Sequence, residues 1–413
     1  MSLGTRNKDR APSGGNGLLE RPRVPASNGA PAQRLVGRKP EIGIDPKEAI
    51  EKVFNFATQI RNGLAQHVVG QSDMLDATAM AVVSGASFCA IGPYGVGKSY
   101  TPKVLHKILG VMGKTIALHP EITHADINGF VSLDPQTGQR IINPSPFLNH
   151  QVAALDELNR AGDKGQNSLL HVMNDGEIVI GNDTETARKV DPALTVIGTM
   201  NPSGEAGTRL VIPALADRFD FVVHLSPPAK GEIATGLARY IENLDIETGE
   251  TLCDIQPIFG GGQPAGSNGQ LNGDGSLFES DSVGKRKILG ARKLFRSILK
   301  QVDRRLLVEV DSLLYHFTVG SEIWDDSPQT LTSRTHRRGE ALLHYATAAA
   351  IFDEQRMPSL NGDVWRIARY CLEMIPPRPD YWNKGSEWLI DQINSRLAEI
   401  KPVVEQDVRR AGS

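Results

Sequence analysis

The stretch AIGPYGVGKSYT, Ala90 to Thr101, limits the folds open to this chain more than any other. A short apolar run, SFCAIG, leads into it, and a helical pattern leaves it. The spacing Gly92-x-x-x-x-Gly97-Lys98-Ser99 lets successive backbone N–H groups line one anion-sized hollow. Lys98 would then reach the outer oxygens of a phosphate chain, and Ser99 would offer its hydroxyl to a metal ion. An ordinary glycine turn between a strand and a helix satisfies the same spacing, so the remainder of the chain decides between the two.

From residue 87 onward, short apolar runs alternate with helical segments: SFCAIG, then Lys98 to Met112, KTIALH, VAALD, Gln166 to Asn174, LTVIGT and FVVHL. Near-continuously apolar strands separated by helices predict an α/β fold with a parallel sheet covered on both faces. Ligands of such sheets sit beyond the carboxyl ends of the strands, which is where the glycine-rich loop falls. A helix N-terminus directly after that loop would add its dipole to the amide cradle. Upstream, Asp45, Pro46 and Glu48 have the order of an N-cap, a first helical position and a capping acid.

A length of 413 residues suggests two or three domains. Residues 1–40 hold eight Arg or Lys against Asp9 and Glu20 and are rich in Gly, Pro and Asn, which reads as a disordered basic tail. The expected core spans 41–250. A Gly/Asn/Ser-rich stretch at 251–285 reads as a flexible insertion. Residues 286–376 carry helical periodicity throughout and read as a small all-α domain, and 377–413 as a C-terminal extension with an amphipathic EWLIDQINSRLAEI. A net charge of −3 gives no positive field for nucleic acid. The three cysteines are far apart and form no CxxC pattern, and no apolar run is long enough to span a membrane. The cytoplasm is the expected compartment.

Chemistry collects at the expected strand ends. VAALDELNRA closes a strand with Asp156, placed to hold the water shell of Mg²⁺, and with Glu157, placed to activate an attacking water. The strand VIGTMNP ends at Asn201, whose amide can bond both a γ-phosphate and that water. Arg218, just before the last strand in IPALADRFDF, is a surface ion-pair residue or the cation a neighbouring subunit would need, with Arg209 a rival. His119 and His124 lack ligand-set spacing and read as polar contacts. The basic residues of RKLFRSILKQVDRR read as a solvated helix face.

Taken in order, VVGQ, GPYGVGKS, DELNRA, GTMNPSGEAGTRLVIPALADRFD and TSRT resemble the MoxR-type AAA+ ATPases, over roughly Asp45 to Ile375. The branch resembled includes activators of rubisco and nitric oxide reductase. The resemblance implies a P-loop AAA+ core with a parallel five-stranded sheet between helices, plus a small all-α lid. It implies ATP and Mg²⁺ as cofactors and a homo-oligomeric, hexameric ring. Nucleotide contacts would come from Val69 and Gly70 beside the adenine and from Gly92, Pro93, Tyr94, Gly95, Val96, Gly97, Lys98, Ser99 and Tyr100. Ser99 and Asp156 would serve the metal. Lys98, Glu157, Asn201, the trans-acting finger Arg218 and the sensor-2 residue Arg334 would carry catalysis. Gly70 read alone is equally a glycine ending a helix. The segments NGFVSLDPQTGQRIINPSPF and GEIVIGNDTETARKV read as hairpins, which line a central pore in relatives or here form inert surface ribbons.

The resemblance implies remodelling or activation of a client protein as the output, with an adaptor bearing a von Willebrand A domain as the kind of partner. Two rivals stand beside it. One is a GTP-dependent nucleic-acid motor resembling the McrB-type GTPases; the other is a scaffold that uses nucleotide to set assembly with little turnover.

Overall fold

A computed structural model describes residues 44–145, 147–180, 187–202, 207–242, 255–260, 282–324, 336–375, 377–381 and 384–412. The basic tail expected at 1–40 and the sensor-2 candidate Arg334 lie outside these residues.

The chain opens with α1 (Pro46–Ala65), capped by Asp45, whose Oδ1 accepts from the Lys47 N–H. Ile50, Val53, Phe56, Ile60 and Leu64 recur every three or four residues and are buried, which gives the helix one apolar face. Next, α2 (Ser72–Ser84) is buried from Met74 to Ser84 except at Asp76 and stops at Gly85, a left-handed C-cap with φ +80°. Strand β1 (Phe88–Ile91) then leads through the glycine loop into α3 (Tyr100–Leu109). After it come β2 (Gly113–Ala117), the single-turn α4 (His124–Asn128), β3 (Gly129–Leu133), β4 (Arg140–Pro144), β5 (Val152–Asp156) and α5 (Asp163–Asp175). They are followed by β6 (Glu177–Ile178), β7 (Arg188–Lys189), β8 (Thr195–Met200), α6 (Pro213–Ala216), β9 (Phe221–His224) and α7 (Glu232–Glu242).

Five of these strands form one sheet in the order β2-β5-β8-β1-β9, every pair parallel. The α/β expectation therefore holds, with the loop-bearing strand β1 second from an edge and bonded on both sides. Its side chains alternate: Phe88 and Ala90 enter the apolar cluster that includes α1 and α2, and Cys89 enters the one beneath α5. Both expected hairpins form antiparallel pairs. In the first, β3 and β4 run from Gly129 opposite Pro144 to Leu133 opposite Arg140, and Asp134 Oδ1 accepts from the N–H groups of Gln136 and Thr137 to close the turn. The second pairs β6 with β7; residues 181–186 fall outside the described residues.

Among the described residues, helices α8 (Val283–Leu299), α9 (Arg305–Thr318), α10 (His336–Glu354), α11 (Asp363–Leu372) and α12 (Ser386–Gly412) follow. Residues 43–413 cluster as one compact unit. A stack of Phe88 on Phe221 (5.4 Å) and Phe221 on Tyr345 (4.0 Å) joins the sheet to α10. Along α9, Ser312 Oγ donates to Asp407 Oδ2 of α12 at 2.8 Å, and Arg396 of α12 donates to the carbonyls of His316 and Val319.

Two details depart from the sequence expectation. Of the span 251–285 expected as a flexible insertion, 251–254 and 261–281 lie outside the described residues, and 255–260 are packed: Ile255 is buried, Ile258 N–H donates to Ile108 O at 2.8 Å, and Phe259 stacks on Phe56 at 5.0 Å. The apolar Ile255, Ile258 and Phe259 precede the Gly/Asn/Ser-rich run that suggested a linker. The run RKLFRSILKQVDRR is also not a wholly solvated face. Arg292 is buried and its guanidinium donates to the carbonyls of Val82, Pro192 and Leu194 and to Thr195 Oγ1. Burial pulls its pKa down to about 10, and four acceptors hold the charge in place.

Candidate functional site

The sheet's carboxyl edge concentrates the polar groups. Gly95 and Gly97 adopt left-handed backbone (φ +79° and +87°), a conformation a side chain would strain, and so turn the loop from β1 into α3. At Gly92 a Cβ would lie 2.8 Å from the carbonyl oxygen of Leu225, so only glycine lets these two chains approach. Val96 anchors the loop in the core.

Lys98 is buried, and its Nζ donates to Gly92 O (2.6 Å), Pro93 O (2.7 Å) and Asn201 Oδ1 (3.1 Å). Asn201 is buried at the end of β8; its Nδ2 has no hydrogen-bond partner among the described residues. Asn159 Nδ2 donates to Asn201 O at 3.0 Å and fixes the backbone there. At the end of β5, Asp156 Oδ1 accepts from Ser99 Oγ and from Thr199 Oγ1, each at 2.6 Å. Glu157 follows in left-handed backbone (φ +58°), an unusual state for a glutamate, and its N–H donates to Thr199 Oγ1 at 3.1 Å. Its Oε1 lies 3.2 Å from Arg160, which also donates to the Tyr94 hydroxyl at 3.0 Å.

A cavity of about 380 Å³ brings together Tyr94, Gly95, Gly97, Lys98, Ser99, Tyr100, Asp156, Glu157 and Asn201 from the expected set. Two participants were not expected. Lys103 lines the cavity from the first turn of α3. Thr199, fully buried within β8, ties Asp156 to Glu157; only its polarity inside the apolar run VIGTM hinted at it. Val69 and Gly70 do not line the cavity. Gly70 (φ +72°) packs against the carboxylate of Glu232. Arg218, between α6 and β9, faces Asp217 Oδ2 at 3.7 Å and is also absent from the cavity wall. Arg209 lines a separate, largely apolar cavity of about 520 Å³ that reaches Trp388. His124 Nδ1 lies 2.9 Å from Asn128 Nδ2 and 3.2 Å from Ser168 Oγ.

Among the described residues no cluster of three or more His, Cys, Asp and Glu stands ready for a metal ion. Ser99 and Asp156 supply one hydroxyl and one carboxylate at a single point. That donor set suits Mg²⁺, which is bound through one or two carboxylates with phosphate and water completing its shell. Among the described residues no helix is long and apolar enough to cross a membrane.

The sequence profile of the ATPase family associated with various cellular activities (AAA) matches residues 90–221. Chaperone MoxR1 of Mycobacterium tuberculosis is 27% identical over 172 residues, 40% of this chain and 43% of its own. Over residues 90–221 the chain is similar to the ATPase domains of this AAA family, and it resembles MoxR1 among them. It is also 29% identical over 185 residues to the uncharacterised protein YeaC of Bacillus subtilis, covering 45% of this chain and 57% of that protein. The chain thus spans about half the length of the curated relatives it matches. The crystal structure of a candidate ATPase from Cytophaga hutchinsonii shares the fold, with a TM-score of 0.61 and 20% identity over 85% of this chain and 97% of that one. The AAA profile match runs from within β1 to the start of β9. It contains every residue of the cavity wall and Arg218, and excludes Val69, Gly70 and the helices from α8 onward.

Proposed function

We propose that the chain is a Mg²⁺-dependent ATPase that works as a hexameric ring and remodels or activates a client protein. The observation that carries the reading is the convergence of Lys98, Ser99, Asp156, Glu157 and Asn201 on one cavity at the sheet's carboxyl edge. In this reading 41–250 is the catalytic core and 286–376 its helical lid. An adaptor with a von Willebrand A domain is the expected kind of partner, and the cytoplasm the expected location.

ATP would lay its phosphates in the loop from Gly92 to Ser99, with the amine of Lys98 moving from the Gly92 and Pro93 carbonyls to the β- and γ-phosphate oxygens. Ser99 and Asp156 would hold Mg²⁺, which supplies charge neutralisation on the β- and γ-oxygens. Glu157 accepts a proton from the attacking water as its oxygen bonds the γ-phosphorus. The bond from that phosphorus to the bridging oxygen breaks, and ADP leaves with the electron pair. Asn201 orients water and phosphate. Arg218 of an adjacent subunit, together with Arg334, offsets the transferred charge; the position of Arg218 off its own cavity wall supports a role in trans.

The test is phosphate release from ATP and from GTP with Mg²⁺, for the native chain and for Glu157→Gln, alongside oligomer mass. Concentration-dependent ATP turnover that vanishes in the variant while assembly persists supports the reading. Preference for GTP with stimulation by DNA, or assembly on ATP with no turnover, overturns it in favour of a nucleic-acid motor or a scaffold.

A further inference from the structure

We propose that Tyr94 and Arg160 form a latch that holds the Glu157 carboxylate in a resting position, so that opening the latch sets basal turnover. This rests on the ATPase reading above. One nitrogen, Arg160 Nη2, serves both contacts: it lies 3.0 Å from the Tyr94 hydroxyl and 3.2 Å from Glu157 Oε1. A guanidinium nitrogen of this kind carries two hydrogens, enough for one bond in each direction.

Glu157 cannot leave this contact by moving its backbone. Its N–H bond to Thr199 Oγ1 and the Arg160 N–H donated to its carbonyl at 2.8 Å hold the main chain in a left-handed state (φ +58°), so side-chain torsions swing the carboxylate. An oxygen engaged by a guanidinium is a poor acceptor for a proton from water, and a general base must come within hydrogen-bond reach of the proton it takes. The resting contact therefore competes with catalysis.

The phosphate loop itself controls the other end of the latch. Tyr94 sits between Pro93 and the left-handed Gly95, and its ring centroid lies 5.9 Å from Lys98 Nζ. Lys98 donates to the carbonyl of Pro93, the peptide unit that continues into Tyr94. When that amine turns to a phosphate chain, the bond that fixes this peptide is released and the hold of Tyr94 on Arg160 loosens. Nucleotide entry and release of Glu157 are thereby coupled within one loop. Both partners of the ion pair are about a third exposed (34% and 35%), so the contact is weak enough to open and close in water.

The test compares steady-state phosphate release across ATP concentrations for the native chain, Tyr94→Phe, Arg160→Gln and the double variant, with binding of a fluorescent ATP analogue measured in parallel. Tyr94→Phe keeps the ring and removes the hydroxyl. It is expected to raise kcat about two- to tenfold, the population change that loss of one ordinary hydrogen bond produces, with analogue affinity rising by no more than the same factor because the coupling is reciprocal. The double variant is expected to be no faster than Arg160→Gln alone, because both changes open the same contact. An unchanged or lower kcat in Tyr94→Phe, or gains that add in the double variant, overturns the latch. Analogue binding without phosphate release in every variant overturns the ATPase reading and the latch with it.

Discussion

Arg338, fully buried in α10, donates through Nη2 to both the carbonyl (2.9 Å) and the carboxylate (3.1 Å) of Asp217, the residue immediately before Arg218. Its Nη1 reaches the carbonyls of Phe219, Asp220 and Cys371. One guanidinium thus fixes the segment that presents the proposed trans-acting arginine, and ties it to the helical region. Arg338→Met removes these donors and leaves Asp217 and three carbonyls short of a partner. A loss of about 3 kcal/mol is expected, read as a lower urea midpoint, and Arg338→Lys should not restore the stability because one ammonium cannot span the fork.

Thr199→Val tests how the two acidic residues are held. The substitution keeps volume and deletes the hydroxyl between Asp156 and the Glu157 N–H. A fall in kcat of roughly tenfold is expected with nucleotide affinity retained, since Ser99 still bonds Asp156. Equal loss of affinity and turnover would place Thr199 in binding instead.

Asn201→Ala removes the amide that faces Lys98. If that amide orients water and phosphate, turnover falls roughly a hundredfold, the scale set by loss of one aimed hydrogen-bond group. Binding of a fluorescent ATP analogue, measured separately, should change far less.

His106 provides a pH-dependent term. Burial depresses its pKa from 6.5 to about 4 in the folded chain. The unfolded chain therefore binds more protons between those values, so stability is full above pH 6.5 and is lost as pH falls toward 4. The loss reaches roughly 3 kcal/mol. Urea midpoints at pH 7 and pH 4.5 should converge more in His106→Asn than in the native chain; equal pH slopes would show that other groups dominate.

Much of the active edge was legible because it is local in the chain. Gly92 to Ser99, Asp156 with Glu157, and Asn201 each sit where a short apolar run stops, and a parallel sheet brings all such ends to one rim. The N-cap at Asp45 was legible for the same reason. What escaped depends on long-range packing. Nothing adjacent to Arg292 or Arg338 distinguishes them from solvated arginines; their acceptors lie 97 or more residues away for Arg292 and include Asp217 and Cys371 for Arg338. The run from Ala291 to Phe317 reads as one periodic stretch, yet α8 ends at Leu299 and α9 starts at Arg305. Asp303 accepts from the Arg305 N–H at that break, a turn contact that helical periodicity does not register.

The hydroxyl of Thr199 accepts from the amide of Glu157 and passes its own proton toward Asp156, which gives this short chain of bonds a fixed direction. The Glu157 amide is consequently a built-in reporter. Its hydrogen-exchange rate follows whether Asp156 keeps the Thr199 bond or trades it for another partner, so the state of that acid can be followed through a single backbone proton, with no label attached to the protein.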